Sequence, residues 1–357
     1  MRLDVKEALR FVSAVLMAQG LAQEQADAVA QRLVEGELLG HRTHGLAQVA
    51  VYLQRIADGL IAREGDIRVI SDRAATFAWA ADQLPGPWVM NLALAQAFSR
   101  AKEHPVVTFT LSNCSHLGAL QPYVKDAAEQ KLFSLMAVTS PAIRSVAPFG
   151  GVEPILTTNP LASGIPTHGD PILVDQSTSL TSNASVAEYG KAGRRLPGKC
   201  LLDAQGQLSD DPAVLNASPP GTILPLGGAD HGYKGFGFGL IAEALSLALS
   251  GTGRHMEVPR VRGSQGVYFQ LIDCEALGGR EQFLDEMTAL AQSCRASPPA
   301  AGHERVRLPG DRALEQWREQ QREGLVVDDV VASSLHSWAM ALGVPAPAFK
   351  TADREEP

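Results

Sequence analysis

Apolar positions in the first part of the chain recur at helical spacing. They run from Val5 to Leu16, from Ala26 to Leu38 and from Leu46 to Ile56, three or four residues apart within each run. Each run forms a single apolar stripe, so the pattern predicts three helices that pack against one another. Gly59 and the polar stretch 62–66 then end this helical block.

After residue 66 the chain alternates between short apolar runs typical of strands and longer runs with helical spacing. The predicted strands are Ile67–Ile70, Ala75–Ala78, Val106–Leu111, Phe133–Val138, Leu161–Ile165, Ile172–Val174 and Val267–Ile272, and the predicted helices are Val89–Lys102, Ala119–Gln130, Leu240–Ser250, Arg280–Cys294, Ala313–Gly324 and Asp328–Leu342. This alternation predicts an α/β (α+β) fold in which helices cover a sheet. The last two helices are expected to pack back on the first three, which makes the middle of the chain an insertion. We therefore divide the chain into an N-terminal helical domain (1–74), an inserted α/β domain (75–312) and C-terminal helices (313–350).

Length and charge exclude several functional classes. The 357 residues exceed the usual size of one hydrophobic core, which agrees with more than one domain. A net charge of -8 without a basic stripe argues against a nucleic-acid partner. No apolar run has the length of a membrane span, and charges in the first ten residues argue against a signal peptide. The four scattered cysteines contain no CxxC pair, so a cytoplasmic location without disulfides is expected.

The segment Gly40-His41-Arg42-Thr43-His44-Gly45 carries the first candidate chemistry. If the third helix begins near Gly45, Thr43 is placed to cap it, and capping alone explains its presence. Alternatively, the helix start holds His44 rigidly, and its imidazole donates a proton to a substrate. His41 and His44 also form an H-x-x-H pair, but the HExxH glutamate and a third ligand are missing, so no metal site is predicted.

A second histidine segment follows the predicted strand Val106–Leu111. His116 lies in Ser112-Asn113-Cys114-Ser115-His116-Leu117-Gly118, between that strand and the next predicted helix. Catalytic residues of α/β folds concentrate at such turns, where loop side chains project beyond the sheet edge. A hydrogen-bonded loop histidine without a catalytic role is the alternative.

Signals for a bound dinucleotide are dispersed. The usual strand-GxGxxG-helix opening is absent, because the run Gly235–Gly239 follows no strand and has a different spacing. This run is expected to start a helix, where Lys234 and the helix N-terminus attract phosphate, although a glycine-rich packing turn explains it equally well. The polar run Val174–Ser179 and the triplet Gly310-Asp311-Arg312 suit either ribose and phosphate contacts or plain turns.

Taken together, these segments resemble the non-Rossmann malate/L-lactate dehydrogenase family, which includes ureidoglycolate and sulfolactate dehydrogenases, diketogulonate reductase and the piperideine/pyrroline-2-carboxylate reductases. The resemblance is collinear from Leu3 to Gly343. The motifs that carry it are Gly40–Gly45, Asn113–Gly118, Ala147–Gly151, Thr158-Asn159-Pro160, Asp175–Ser179, Asp210-Asp211-Pro212, Leu224–Gly228, Lys234–Gly237 and Leu308-Pro309-Gly310.

The resemblance implies a helical domain built from both chain ends, an inserted cofactor-binding α/β domain of non-Rossmann topology, and a homodimer with its active site near the subunit interface. It implies NAD or NADP as cofactor, a small carboxylate as substrate, and His44 or His116, with Thr43 beside His44, as the acid/base group. The residues that it places along the cofactor are Pro171, Ile172, Leu173, Val174, Asp175, Gln176, Ser177, Thr178, Tyr233, Lys234, Gly310, Asp311 and Arg312. The nucleotide preference and the choice between the two histidines stay open.

The chain departs from the family pattern where an arginine is frequent. Gln48 stands where many relatives carry Arg, one helical turn after His44, and Asn183 stands at another position where Arg is frequent. Glutamine cannot form the salt bridge that would hold a substrate carboxylate. Gln48 and Asn159 are taken as substrate-binding residues, and Arg144 is the candidate that supplies the missing guanidinium.

These observations favour an NAD(P)-dependent oxidoreductase that moves hydride to or from C2 of a 2-hydroxy or 2-oxo acid. One alternative is an NADPH-dependent cyclic imino acid reductase. A hydrolase with Thr43 or Ser115 as nucleophile is a second class, although no nucleophile elbow is present. A non-catalytic small-molecule binding protein on the same scaffold is the third.

Replacing Arg144 tests whether its guanidinium takes the place of the arginine that many relatives carry at position 48. Arg144→Ala is expected to raise the Michaelis constant for a carboxylate substrate strongly, because an arginine–carboxylate contact is lost. Steady-state kinetics measure the effect. An unchanged Michaelis constant removes Arg144 from the substrate site.

Overall fold

The computed structural model describes residues 1–255 and 263–350. Its helices are α1 (Val5–Ala18), α2 (Gln23–Leu38), α3 (Gln48–Ala57), α4 (Gly86–Arg100), α5 (Gln121–Glu129), α6 (Asn183–Lys191), α7 (Gly228–Glu243), α8 (Arg280–Ala296), α9 (Asp311–Glu323) and α10 (Asp329–Leu342). Its strands are β1 (Arg2–Leu3), β2 (Arg68–Arg73), β3 (Thr76–Ala80), β4 (Val106–Cys114), β5 (Phe133–Thr139), β6 (Leu161–Ile165), β7 (Ile172–Gln176), β8 (Leu201–Leu202), β9 (Leu208–Ser209), β10 (Thr222–Ile223), β11 (Gln265–Ile272) and β12 (Leu325–Val326).

The two ends of the chain share one hydrophobic core. The apolar stripes of α1, α2 and α3 meet in it, and Leu335 and Ala339 of α10 pack into the same cluster. The Asp4 side chain caps α1 by accepting the backbone N–H of Glu7, and β1 pairs antiparallel with β12. The three predicted N-terminal helices and the return of the C-terminal helices are therefore present.

A seven-stranded sheet forms the middle of the chain, in the order β2-β3-β4-β11-β5-β6-β7. β3 and β4 run parallel, whereas the other neighbouring pairs are antiparallel. Phe109 stacks on Phe77 and Phe269, with ring centroids 5.1 and 5.4 Å apart, and α4 and α5 contribute to the same core. The expected mixed α/β fold without a doubly wound parallel sheet is confirmed.

The glycine-rich run does not start a helix, contrary to the sequence-based expectation. α7 begins at Gly228, so Lys234 and the run Gly235–Gly239 lie inside it. A Cβ at Gly235 would overlap the backbone of Leu226, which shows that this glycine lets the helix approach the preceding turn. Lys234 therefore does not precede a helix N-terminus.

The third helix also begins later than expected. Residues 42–44 form a short 3-10 turn, and α3 starts at Gln48 without a side-chain cap. Thr43 therefore does not cap α3. The pattern also missed α6, whose only buried residue is Val186. It missed the small sheet of β8, β9 and β10 because two-residue strands are too short to show periodicity.

We keep the three-part division of the chain as a proposal, with one adjustment. β2 belongs to the large sheet through its pairing with β3, so the first boundary is better placed before Arg68 than after residue 74. None of the helices within residues 1–255 and 263–350 combines the length and apolarity that crossing a bilayer requires.

Gln320 of α9 joins the C-terminal helices to α2. Its Nε2 donates to the carbonyl oxygens of Glu37 and Leu38, at 2.9 and 3.1 Å, and its Oε1 accepts the N–H of Val326 at 2.8 Å. The side chain is only 7% exposed, so water cannot replace these bonds.

Gln320→Leu is expected to lower the free energy of unfolding by about 2–3 kcal/mol, because it leaves buried backbone groups without partners. Urea denaturation measures the change. The matched control is Gln321→Leu, at an exposed neighbouring position, with an expected change within about 0.5 kcal/mol. Equal losses in both variants would contradict the assigned role.

Candidate active site

A cleft of about 530 Å³ opens beside the start of α3, at the ends of β4 and β5. Its lining includes His41, Thr43, His44, Gln48, Arg55, His116, Thr139, Asp175, Gln176, Ser177 and Asn183. The structure thus brings the two candidate histidines, which are distant in the sequence, to one cavity.

His44 is held by contacts beneath and beside its turn. The buried Glu37 carboxylate accepts the N–H of Leu46 at 2.8 Å, and Gly45 packs so closely on Glu37 that a Cβ would overlap the carboxylate. Thr43 Oγ1 lies 2.9 Å from His44 Nδ1, and Gln48 Nε2 donates to the Thr43 carbonyl at 2.7 Å. These bonds orient the imidazole before any ligand binds.

His116 is fixed in one tautomer by its neighbours. The backbone N–H of Gly118 donates to His116 Nδ1 at 3.2 Å, and the Tyr52 hydroxyl donates to the His116 carbonyl. Because Nδ1 accepts this hydrogen bond, the ring proton of the neutral imidazole is on Nε2. Burial, reinforced by His44 and Arg55, lowers the pKa of His116 to about 3. His116 is therefore a neutral hydrogen-bond donor at physiological pH.

The two imidazoles are stacked, with ring centroids 5.8 Å apart and an interplanar angle of 21°. Burial also lowers the pKa of His44, and nearby His41 adds to this, whereas the Asp175 carboxylate opposes it. The cleft therefore holds two imidazoles in different electrostatic surroundings. Such a pair can polarise and protonate one atom of a bound molecule.

Asp175 connects β7 to the start of α5. Its Oδ2 accepts the N–H groups of Leu120 and Gln121, both at 3.0 Å, where the helix dipole favours a negative charge. The Gln121 side chain in turn contacts His41 Nε2 at 2.9 Å and donates to the Leu173 carbonyl. This chain of bonds joins β7, α5 and the His44 turn into one wall.

The candidate cofactor segments at β7 and at α9 are adjacent. The N–H of Leu173 donates to the Pro309 carbonyl at 3.0 Å, and a Cβ at Gly310 would lie 2.9 Å from Leu173. Asp311 is already bonded to Arg295 at 2.6 Å, whereas Arg312 is exposed. Thus β7 and the start of α9 lie side by side.

The remaining predicted site residues do not line the cleft. Tyr233 and Lys234 lie on the exposed face of α7. Asn159 is fully buried, and its Nδ2 donates to the Gly239 carbonyl and to Glu243. Ser115 is also buried, and its hydroxyl accepts the N–H of Gly86 at 2.8 Å, so it is not placed as an accessible nucleophile.

Arg144 is exposed and lines a neighbouring cavity of about 980 Å³. Ile143 and Asn183 lie between this cavity and the cleft, since both residues line both spaces. The guanidinium at position 144 thus stands beside the histidine cleft and not within it.

Arg55 and Thr139 are among the cleft residues that the sequence did not identify. Arg55 follows Gln48 by two helical turns and so shares its face of α3, a signal that the helical spacing already contained. Thr139 ends β5, and its hydroxyl is buried without a hydrogen-bond partner among residues 1–255 and 263–350. Only the folded arrangement identifies Thr139.

The cleft and its margin fit a nicotinamide dinucleotide. The Thr139 hydroxyl, unpaired among residues 1–255 and 263–350, is available to a ligand amide. Gly310 lets the chain before α9 pack closely on Leu173 of β7. After β7, the Ser177 hydroxyl donates to the Ser179 carbonyl and the Thr178 hydroxyl donates to the Thr158 carbonyl. In the part of the chain that the structure describes, no group of three or more His, Cys, Asp or Glu side chains is arranged to hold a metal ion.

Known proteins match this chain over nearly its whole length. The family model described as malate/L-lactate dehydrogenase matches residues 3–336. A malate dehydrogenase of Pyrococcus abyssi is 28% identical over 349 residues, covering 96% of this chain and 95% of the relative. The crystal structure of malate dehydrogenase from Entamoeba histolytica superposes with a TM-score of 0.91 at 25% identity, covering 98% and 99% of the two chains. A delta1-piperideine-2-carboxylate reductase from Pseudomonas syringae pvar. tomato superposes with a TM-score of 0.83 at 25% identity, covering 95% and 100%.

The Glu37 carboxyl beneath the His44 turn makes stability depend on pH. Burial raises the pKa of Glu37 from 4.5 to about 7, and Asp328 adds to this, while the Leu46 N–H and Arg42 oppose it. The folded protein therefore binds the Glu37 proton more tightly than the unfolded chain does. The resulting contribution to the free energy of unfolding is fully present below pH 4.5 and is lost as the pH rises to about 7.

Glu37→Gln removes this titration and keeps an oxygen for the Leu46 N–H. The free energy of unfolding of the native protein, relative to Glu37→Gln, is expected to fall by up to about 3 kcal/mol between pH 4.5 and 7. Urea denaturation across that range measures it. The control is Glu24→Gln, at an exposed position on α2. A difference that does not change with pH would contradict the buried titration.

Proposed function

We propose that this chain, which belongs to the malate/L-lactate dehydrogenase family and is an oxidoreductase, moves hydride between a nicotinamide cofactor and C2 of a 2-hydroxy or 2-oxo acid. The observation that carries the proposal is the stacking of His44 and His116 at one cleft. Two imidazoles beside one reacting atom suit a carbonyl that must be polarised and protonated during reduction.

The two histidines take different roles in this proposal. His116, neutral and with its proton on Nε2, donates a hydrogen bond to the C2 oxygen. His44, held by Thr43, gives that oxygen a proton as the carbonyl becomes a hydroxyl, and takes the proton back in the reverse direction. The bound cofactor supplies or accepts the hydride at nicotinamide C4.

The proposed cofactor site runs from the cleft along β7 to Gly310. The hydroxyls of Ser177 and Thr178 donate to the carbonyls of Ser179 and Thr158, so each keeps only its acceptor side for a ligand, whereas the Thr139 hydroxyl is unpaired among residues 1–255 and 263–350. NAD and NADP are both retained, because Asp311 and Arg312 favour opposite nucleotides.

A homodimer is part of the proposal. The exposed face of α7 carries large apolar side chains, among them Tyr233, Phe238, Leu240 and Ile241, each about half exposed. A contiguous apolar face of this kind is typical of a protein interface. Pairing of two copies there would bring Tyr233 and Lys234, which lie off the cleft of their own chain, towards a neighbouring subunit.

Reduction of a cyclic imino acid is the second candidate. It is supported by the likeness to a piperideine-2-carboxylate reductase and by the Thr43–His44 contact, which orients a proton donor that a C2 nitrogen also requires. The hydride and the proton would then go to C2 and to the ring nitrogen.

The assay follows the near-ultraviolet absorbance of NADH and NADPH in the presence of 2-oxo acids and cyclic imino acids. Oxidation with a 2-oxo acid supports the main proposal, and oxidation with a cyclic imino acid alone supports the second. Cofactor binding without turnover of any compound would indicate a binding protein on this scaffold and contradict both.

His44→Ala and His116→Ala are each expected to lower turnover at least about a hundredfold, the usual contribution of an acid/base group. Turnover at saturating substrate and cofactor measures the effect. His104→Ala is the control, because His104 follows α4 and does not line the cleft. Near-normal turnover in either test variant would exclude that histidine from the reaction.

A further inference from the structure

We infer that Arg55 binds the substrate carboxylate in this protein. The inference rests on the proposed function and names the charged group that the reaction site needs. It assigns this role to a residue inside the histidine cleft in place of Arg144, which lines the neighbouring cavity. The Michaelis constant of Arg144→Ala is therefore expected to stay close to that of the native protein, which replaces the expectation drawn from the sequence.

Helical geometry places Arg55 in the cleft. Gln48, Val51 and Arg55 lie on one face of α3, and all three line the cavity. Tyr52 of the same helix contacts His116, so α3 carries the guanidinium and also supports one imidazole. The backbone position of Arg55 on α3 is therefore fixed relative to His116.

Arg55 has no competing carboxylate among residues 1–255 and 263–350. It forms no ion pair there, and no other lysine or arginine of these residues lines the cleft. By contrast, the well-buried Arg32 and Arg254 each bond to acidic side chains, Arg32 to Glu35 and Asp126. The one acidic side chain among the described cleft residues, Asp175, already accepts two backbone N–H groups.

A partly buried guanidinium without a carboxylate partner loses hydration without full compensation. A ligand carboxylate would supply that compensation through two parallel N–H···O bonds, the geometry in which arginine binds carboxylates best. Arg55 is thus prepared for an anion that enters the cleft from outside.

Gly263 makes room for the Arg55 side chain. Its φ is +94°, and a Cβ built on it would lie only 2.5 Å from Arg55 Nη1. Gln265 of β11, close by in the sequence, lines the cleft and accepts the Leu117 N–H. The guanidinium therefore reaches from α3 towards the start of β11, on the side of the cleft where His116 lies.

The test compares Arg55→Ala, Arg55→Lys and the native protein. With the best 2-oxo acid of the substrate panel, Arg55→Ala is expected to lower kcat/KM about 10- to 100-fold, since one charged hydrogen-bonded contact is lost. Arg55→Lys should restore part of this loss, because an ammonium keeps the charge without the planar pair of donors. Arg73→Ala, which removes an exposed arginine of β2, is the control.

The discriminating measurement is selectivity between the 2-oxo acid and its carboxamide, which lacks the negative charge. The native protein is expected to favour the acid, and Arg55→Ala should lose most of that preference while its fluorescence-measured Kd for the nicotinamide cofactor stays the same. Retained selectivity would overturn the inference. Equal losses for acid and amide together with weakened cofactor binding would overturn it too, because they indicate a structural role.

Oxalate binding separates this inference from the proposed function, since it needs no turnover. Calorimetric titration of the cofactor-loaded protein is expected to show oxalate binding that Arg55→Ala weakens at least tenfold, while Arg144→Ala leaves it intact. This result would hold even if every compound of the panel failed to react. No oxalate binding to the native protein, or weakening only in Arg144→Ala, would overturn the inference.

Discussion

The stacking of His44 on His116 is the contact on which the site depends. It exists because two separate supports converge. Glu37 anchors the turn that carries His44, and Tyr52 together with the Gly118 N–H holds His116 at the end of β4. α3 takes part in both, since it begins just after the His44 turn and carries the tyrosine. A shift of α3 would therefore move both imidazoles.

The same helix links this site to the rest of the molecule. α3 belongs to the core shared by both chain ends, whereas His116 belongs to the loop that follows a strand of the central sheet. The cleft thus lies where the helical part meets the sheet, a common position for a binding site. Asp175 extends the arrangement to β7 by capping α5, so the proposed cofactor surface and the histidines share one support.

Local periodicity allowed most of the fold to be predicted. Runs such as Val106–Leu111 and Phe133–Val138 identified strands because a buried strand needs consecutive or alternating apolar residues. The errors have physical causes. Glycines in α7 were interpreted as a helix start, although Gly235 is needed for close packing on Leu226. Of the two interpretations of Thr43, capping of α3 is wrong because a 3-10 turn precedes that helix, whereas the contact of its hydroxyl with His44 is present.

Site residues were predictable only where a motif carried them. His44 and His116 lay in polar segments that packing does not explain, and the structure brings them together. Arg55 could have been found from its spacing to Gln48. Its lack of an acidic partner within residues 1–255 and 263–350 is visible only in the structure. The position of Arg144 beside the cleft, and the burial of Asn159 against α7, follow from tertiary packing and have no local signal.

A double-mutant cycle on the single-turnover rate of hydride transfer, with cofactor already bound, tests the central claim most directly. His44 and His116 act on one atom in this account, so the double variant His44→Ala/His116→Ala should react little more slowly than the slower single variant. Fully additive losses would mean that the two imidazoles act independently, and would contradict a shared reacting atom.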